Sequence, residues 1–229
     1  MSASHPSAGE LPRGGSILSN RVKEAGRALL APLVRLAQRL GITPNRVTVI
    51  GFVVVLVAAG LVAAGQLLAG AVILVVGSLL DAVDGALARA TGGGTAFGGF
   101  LDSTLDRAAE AILYAGIVVY FLRTDADPIP PVVLALAALC GSFMVSYTRA
   151  KAEAIGVSAS VGLAPRTERL VLVVAGIALA GLGLEIGLIA AIGIVAALAI
   201  ATTFQRIWHV RREMTRPPAA TRRDSTEES

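Results

Sequence analysis

The chain alternates long apolar runs with short polar joints. No charged residue occurs between Arg46 and Asp81. A single helix over positions 47–80 would be about 51 Å long, against a hydrocarbon core of about 30 Å. One span is too few, and the small-residue turn at Gly65-Gln66 divides the run. The pattern predicts a first helix over 45–64 and a second over 67–90, whose last turns are polar. Later runs predict helices over 98–122, 131–153, 167–184 and 186–210. Asp125, Asp127 and Pro128 to Pro131 supply a loop after the third. The Gly-Leu-Glu-Ile turn at 183–186 precedes the sixth.

Ahead of these spans, Ile17, Val22, Leu29, Leu30, Leu33, Leu36 and Leu40 interleave with Arg21, Lys23, Arg27, Arg35 and Arg39. That pattern suits a basic amphipathic helix over 17–40 lying on a membrane surface. Residues 1–16 and 213–229 are Ser/Pro/Gly-rich or charged and read as disordered ends. The first apolar stretch begins beyond residue 46 with no small-residue cleavage site in a short leader, so it is not a signal peptide. The expected fold is an all-α integral membrane protein. Six transmembrane helices occupy 41–212, preceded by an N-terminal amphipathic juxtamembrane helix, with no internal repeat and no second domain.

Composition agrees. Apolar residues make up 55% of the 229 and charged residues 16%, where a soluble domain carries roughly 25% charge. That sets aside a soluble enzyme, a disordered chain and a disulfide scaffold. The net charge is +4, which in a soluble protein would suggest nucleic acid as a partner. Here its distribution matters more. Of the 20 lysines and arginines, only Arg123 falls on the far side of the predicted spans. The positive-inside rule then gives a multi-pass protein of the cell membrane with both termini cytoplasmic. The bilayer, not nucleic acid, is the implied partner. Cys140 is alone in an apolar run and reads as a small buried hydrophobe, which excludes a disulfide framework and a thiolate metal site. His5 and His209 have no spacing partner.

Against this background four acids stand out: Asp81, Asp84, Asp102 and Asp106. Ionisable residues within spans are costly and default to functional candidates. At about 100° per residue, Asp81, Asp84, Gly85, Ala88 and Arg89 share an arc of about 140° on the second helix. Asp102 and Asp106 are one turn apart on the third, with Gly98 one turn before. A rise of about 1.5 Å per residue places Asp81 and Asp84 about 21 and 26 Å from their helix's outer end. Asp106 and Asp102 lie about 24 and 30 Å from theirs, so the pairs meet at one level near the cytoplasmic edge. The hairpin Ala90 to Phe97, with Gly92-Gly93-Gly94, holds the helices side by side. Clustered anions repel strongly at low dielectric. Hard divalent cations such as Mg²⁺ or Mn²⁺ resolve that, and a pair of them suits phosphoryl chemistry. All four aspartates are therefore candidate metal ligands. The bland alternative is a salt-bridge network with Arg89 and Arg107, although two arginines under-neutralise four acids.

At these residues the sequence resembles a known family. Asp81-x-x-Asp84-Gly85-x-x-Ala88-Arg89, eight residues, then Gly98-x-x-x-Asp102-x-x-x-Asp106 is similar to the signature of the CDP-alcohol phosphotransferases. The resemblance spans about 40–212. It implies six transmembrane helices, a homodimer and a metal site for two divalent ions, open to the cytoplasm. It also implies transfer of a phosphatidyl or similar group from a CDP-activated lipid to an alcohol, with release of CMP. Carried over by position, Asp81, Asp84 and Asp102 correspond to metal ligands and Asp106 to the general base. Gly85, Ala88, Arg89, Gly98 and Asp81 correspond to the nucleotide wall. The segment Thr43 to Thr48 resembles the stretch before the first span that helps to hold the nucleotide, which adds Asn45 and Thr48.

A second cluster is basic. Arg149 and Lys151 end the fourth helix, Arg166 and Arg169 begin the fifth, and Arg206 ends the sixth. All lie about 24–31 Å from their outer ends, the depth of the carboxylates. Such a set suits a phosphate on the acceptor; the bland reading is ordinary flanking charge. Ser146 to Glu153 and Pro165 to Leu170 resemble the prokaryotic phosphatidylinositol phosphate synthases and their archaetidylinositol relatives. That subtype implies a CDP-diacylglycerol or CDP-archaeol donor and inositol phosphate as acceptor. Arg149, Lys151, Arg166 and Arg206 become the candidate phosphate contacts. The order Arg149 then Lys151, and Pro165 before Arg166, depart from some bacterial members. Glycerol 3-phosphate or another polar alcohol is the alternative acceptor. A divalent-metal transporter is the remote alternative, which the apolar outer halves of four spans disfavour.

Overall fold

The computed structural model describes residues 20–215, and side-chain surroundings from residue 30 onward. The described residues are helical with no strand. Seven helices follow in order: α1 (Asn20–Arg39), α2 (Pro44–Ala63), α3 (Leu67–Ala90), α4 (Ala96–Thr124), α5 (Ile129–Ala154), α6 (Arg166–Gly181) and α7 (Ile186–Met214). The expected disordered ends fall outside the described residues, apart from 213–215, where α7 runs on to Met214.

Local chemistry explains where the helices begin and end. Thr43 leads into Pro44, whose fixed φ and missing N–H suit a first helical turn. The hydroxyl of Thr95 accepts a hydrogen bond from the Gly98 N–H, so α4 starts at Ala96, two residues earlier than apolarity predicts. Pro130 and Pro131 are likewise tolerated in the first turn of α5. The α3–α4 joint needs backbone that only glycine adopts cheaply: φ is 95° at Gly92 and 100° at Gly93.

α2 packs on α3 and α4, α3 on α6, α4 on α5, and α7 on α5 and α6. The centre holds Val62, Leu74, Ile117, Ile177, Leu188 and Ile192, all buried. Small residues bring backbones together: a Cβ on Gly116 of α4 would stand 2.6 Å from the Ala59 carbonyl oxygen of α2. From residue 30 onward, the apolar side chains of α1 are divided. Ala37, with Val34 and Leu30, joins Val47, Val83 and Leu87 in a small core against α3. Leu33, Leu36 and Leu40 remain exposed.

Among the described residues, four helices are long and apolar enough to cross a membrane: α2, α3, α5 and α7. The other two predicted spans fall short on that measure for visible reasons. α4 carries Asp102, Asp106, Arg107 and Glu110 within three turns, and α6 has only 16 residues because the chain turns at Leu182-Gly183. Cys140 is a correction. It is exposed on the outside of α5 and is not a core residue.

Candidate active site

α3 carries Asp81 and Asp84, and α4 carries Asp102 and Asp106. The hairpin between them sets their register. One carboxylate oxygen from each of Asp81, Asp102 and Asp106 lies within 4.8 Å of the others. This donor set is all carboxylate oxygen, the chemistry that hard divalent cations prefer. The residues present therefore fit such an ion. Asp84 is not among the three. It is buried, and its Oδ2 accepts a hydrogen bond from Thr48 Oγ1 at 2.8 Å.

Several candidate nucleotide residues make close contacts with one another or with Asp84. Gly98 faces Asn45: a Cβ there would sit 2.9 Å from Asn45 Oδ1 and 3.1 Å from Thr95 Oγ1. The start of α2 can approach the start of α4 this closely only because position 98 has no side chain. Thr48, one turn along α2 from Asn45, is the partner of Asp84. A Cβ on Gly85 would meet Arg89 Nη1 at 3.4 Å. Ala88 is half-buried on the same stretch of α3.

Two hollows meet at Asp106. A cavity of about 80 Å³ runs into the bundle from the carboxylates. Thr48, Asp81, Asp84 and Asp106 line its polar end, and Val55, Leu74, Leu113 and Val173 its apolar depth. A wider cleft of about 740 Å³ opens on the other side, with Arg107, Arg149, Arg166, Arg169 and Arg206 in its walls. Arg166 joins the two. Its Nη1 lies 2.6 Å from Asp106 Oδ2 and 3.6 Å from Asp81 Oδ2. A salt bridge to the acids thus exists, but its cation is Arg166, not Arg89 or Arg107. Arg107 Nη1 is taken by Glu110 Oε2 at 2.7 Å and Ser146 Oγ at 2.6 Å.

The predicted acceptor contacts separate on inspection. Arg149 reaches the cleft but pairs with Glu153 at 2.8 Å on its exposed side. Lys151 lies outside the cleft lining, with its ammonium 5.7 Å from the ring centre of Tyr147. Arg206 lines the cleft and is buried. Its Nε donates to the Val161 carbonyl at 2.8 Å and its Nη1 to the Val145 carbonyl. Two more arginines face the cleft: Arg169, part of the basic cluster but not of the four candidate phosphate contacts, and Arg107, outside both. Arg169 is buried and donates to the Ala164 carbonyl at 2.9 Å, while its Nε finds no acceptor among the described residues. Their sequence signals were present: Arg169 stands three residues after Arg166, and Arg107 directly follows Asp106.

Residues 41–205 match the family model described as CDP-alcohol phosphatidyltransferase. The chain belongs to that family. Among CDP-alcohol phosphatidyltransferases it is 41% identical over 189 residues to the archaetidylinositol phosphate synthase of Pyrococcus horikoshii, covering 80% of this chain and 93% of the relative. It is 37% identical over 191 residues to the phosphatidylinositol phosphate synthase of Mycobacteroides abscessus, covering 82% and 86%. Among solved structures, the phosphatidylinositol phosphate synthase of Mycobacterium tuberculosis with CDP-DAG bound superposes with a TM-score of 0.75 at 32% identity, covering 85% of this chain and 98% of that one. The same mycobacterial enzyme in complex with manganese and citrate gives a TM-score of 0.74. The two acidic helices and the basic cleft lie within the matched family region, except for Arg206, one residue beyond it.

Proposed function

We propose that this chain transfers the phosphatidyl or archaetidyl group of a CDP-activated lipid to a hydroxyl of inositol phosphate, releasing CMP. The observation that carries this reading is the junction at Asp106, where an acidic cluster on one side meets a five-arginine cleft on the other. The first suits a diphosphate held through cations. The second suits a dianionic phosphate on the acceptor.

Asp81, Asp102 and Asp106, with Asp84 behind them, would hold Mg²⁺ or Mn²⁺. Such ions supply charge stabilisation at the diphosphate when bound. The chain's own groups do the rest. Asn45, Thr48, Gly85, Ala88, Arg89 and Gly98 form the wall for the cytidine nucleotide. The acceptor phosphate sits among Arg149, Arg166 and Arg206, which turns its hydroxyl toward Asp106. The hydroxyl oxygen attacks the phosphatidyl phosphorus, its proton passes to the Asp106 carboxylate, and the bond to the CMP oxygen breaks. Arg166, bonded to Asp106 Oδ2, orients that carboxylate.

The membrane reading extends the four apolar spans to six. α4 is about 44 Å long at 1.5 Å per residue, and α6 packs between α3 and α7. With six spans both termini share one face, and the one-sided distribution of the basic residues supports reading that face, with the site, as the cytoplasmic side of the cell membrane. The unit is a six-helix domain over 41–212, preceded by the juxtamembrane α1. Family likeness supports a homodimer.

The test is CMP release from CDP-diacylglycerol by the purified protein in lipid nanodiscs. Inositol phosphate, free inositol, glycerol 3-phosphate and serine are offered in parallel. Release with inositol phosphate alone is expected. Equal release with glycerol 3-phosphate would overturn the acceptor while leaving the chemistry. Asp106→Asn should still bind CDP-diacylglycerol yet lose turnover; near wild-type turnover would remove Asp106 as the base.

A further inference from the structure

The C-terminal turns of α7 present an apolar face that the bundle leaves uncovered. Phe204 and Trp208 are each 67% exposed. Ile207 lies between them, and Leu163 of the α5–α6 loop is also exposed. These side chains wall a groove of about 700 Å³, rimmed by Arg211 and Arg212. The Arg211 guanidinium lies 5.9 Å from the centre of the Trp208 ring. No acidic side chain lines the groove among the described residues.

The loop wall is fixed in place by α7 itself. The Leu163 N–H donates to Thr202 Oγ1 at 3.3 Å, and Arg206 Nε donates to the Val161 carbonyl at 2.8 Å. The His209 ring nitrogen Nε2 meets the Ser158 carbonyl at 3.1 Å. Gly162 allows the contact, because a Cβ there would sit 2.7 Å from Thr202 Cγ2.

The groove continues α7 past Arg206, so it lies at the same end of the bundle as the carboxylates. Apolar walls beside a basic rim repeat the order of acyl chain and head group in a phospholipid. The rim is cationic and the described lining holds no acid, so the groove complements a head group of net negative charge. A zwitterionic head group would carry a cation toward the same arginines. We propose that this groove binds one anionic phospholipid of the surrounding leaflet, outside the catalytic centre, with its phosphate on Arg211 and Arg212.

Trp208 is the only tryptophan in the chain, so its fluorescence reports on this groove alone. The full chain is placed in phosphatidylcholine vesicles, which add no other tryptophan. Phosphatidylglycerol or phosphatidylcholine with brominated acyl chains is then titrated in at equal mole fraction. Brominated phosphatidylglycerol should quench at lower mole fraction, with a preference of roughly five-fold for each rim arginine. Both arginines are exposed, so the double variant Arg211→Gln/Arg212→Gln keeps the fold. It should quench equally with either lipid. Equal quenching of the wild type by the two lipids would overturn the proposal in favour of an ordinary interfacial belt. Absence of quenching by both would overturn it in favour of a protein occupant, such as a second copy. A preference that survives the double variant would show that the arginines are not the recognition element.

Discussion

Replacing Gly98 with alanine probes the site at its tightest point. The added Cβ would lie 2.9 Å from Asn45 Oδ1 and 3.1 Å from Thr95 Oγ1. Ordinary carbon–oxygen contacts begin near about 3.3 Å, so α4, Asn45 or both must move by a few tenths of an ångström. Thr95 has little freedom to give way, because its hydroxyl caps the Gly98 N–H at 2.9 Å. Movement of α4 carries Asp102, one turn on, and Asp106, two turns on, away from Asp81. Overpacking of this kind costs about 1–3 kcal/mol. Spent on the bound state, that is about 5- to 150-fold in affinity. The assay is the donor KM for CMP release, with binding of CDP-diacylglycerol measured separately. Gly99→Ala is the internal control. It is the next residue on the same helix, and a Cβ there meets nothing within 4 Å. Alanine in place of a helical glycine should stabilise by up to about 0.5–1 kcal/mol, so Gly99→Ala should keep activity and melt no lower than wild type. The reasoning fails if Gly98→Ala retains the wild-type donor KM, or if Gly99→Ala damages donor binding as much.

Two further outcomes follow from particular contacts. Arg166→Gln removes a charge-assisted bond to Asp106 of the kind worth about 1.5–3 kcal/mol, and should raise the acceptor KM and lower kcat while leaving donor binding intact; equal loss on both substrates would make it a general structural residue. Thr48→Val takes the hydroxyl from buried Asp84, at a cost of about 1–3 kcal/mol for the unmet carboxylate oxygen, and should weaken CDP-diacylglycerol binding without changing the acceptor KM; wild-type donor affinity would show that the 2.8 Å contact is idle.

The acidic half of the site was legible because it is local. Asp81 to Asp106 lie on two consecutive helices joined by a short glycine hairpin. Period and rise alone bring three of the four acids together. The basic half was not legible in the same way. Arg149, Lys151, Arg166 and Arg206 share a depth, but depth does not say which way each helix turns its side chain. The packed bundle sends Arg166 onto Asp106, commits Arg206 to two carbonyls and leaves Lys151 beside Tyr147. The Thr48–Asp84 bond, spanning 36 positions, required the α2–α3 packing to be known. Hydropathy also misplaced Cys140, since an apolar run does not distinguish a lipid-facing side from a buried one.

The hairpin has a consequence in time. The acids belong to α3 and α4, whereas Arg166 opens α6, well downstream in the chain. Synthesis proceeds at about 5–20 residues per second, so the acidic hairpin leaves the ribosome seconds before the arginine that will bond Asp106. During that interval the nascent acids have only Arg89 and Arg107 from their own hairpin as neighbouring cations. Any further neutralisation at that stage comes from the earlier helices α1 and α2 or from the cell's ions and protons. Assembly of the site therefore has two stages, and the second waits on the insertion of α6.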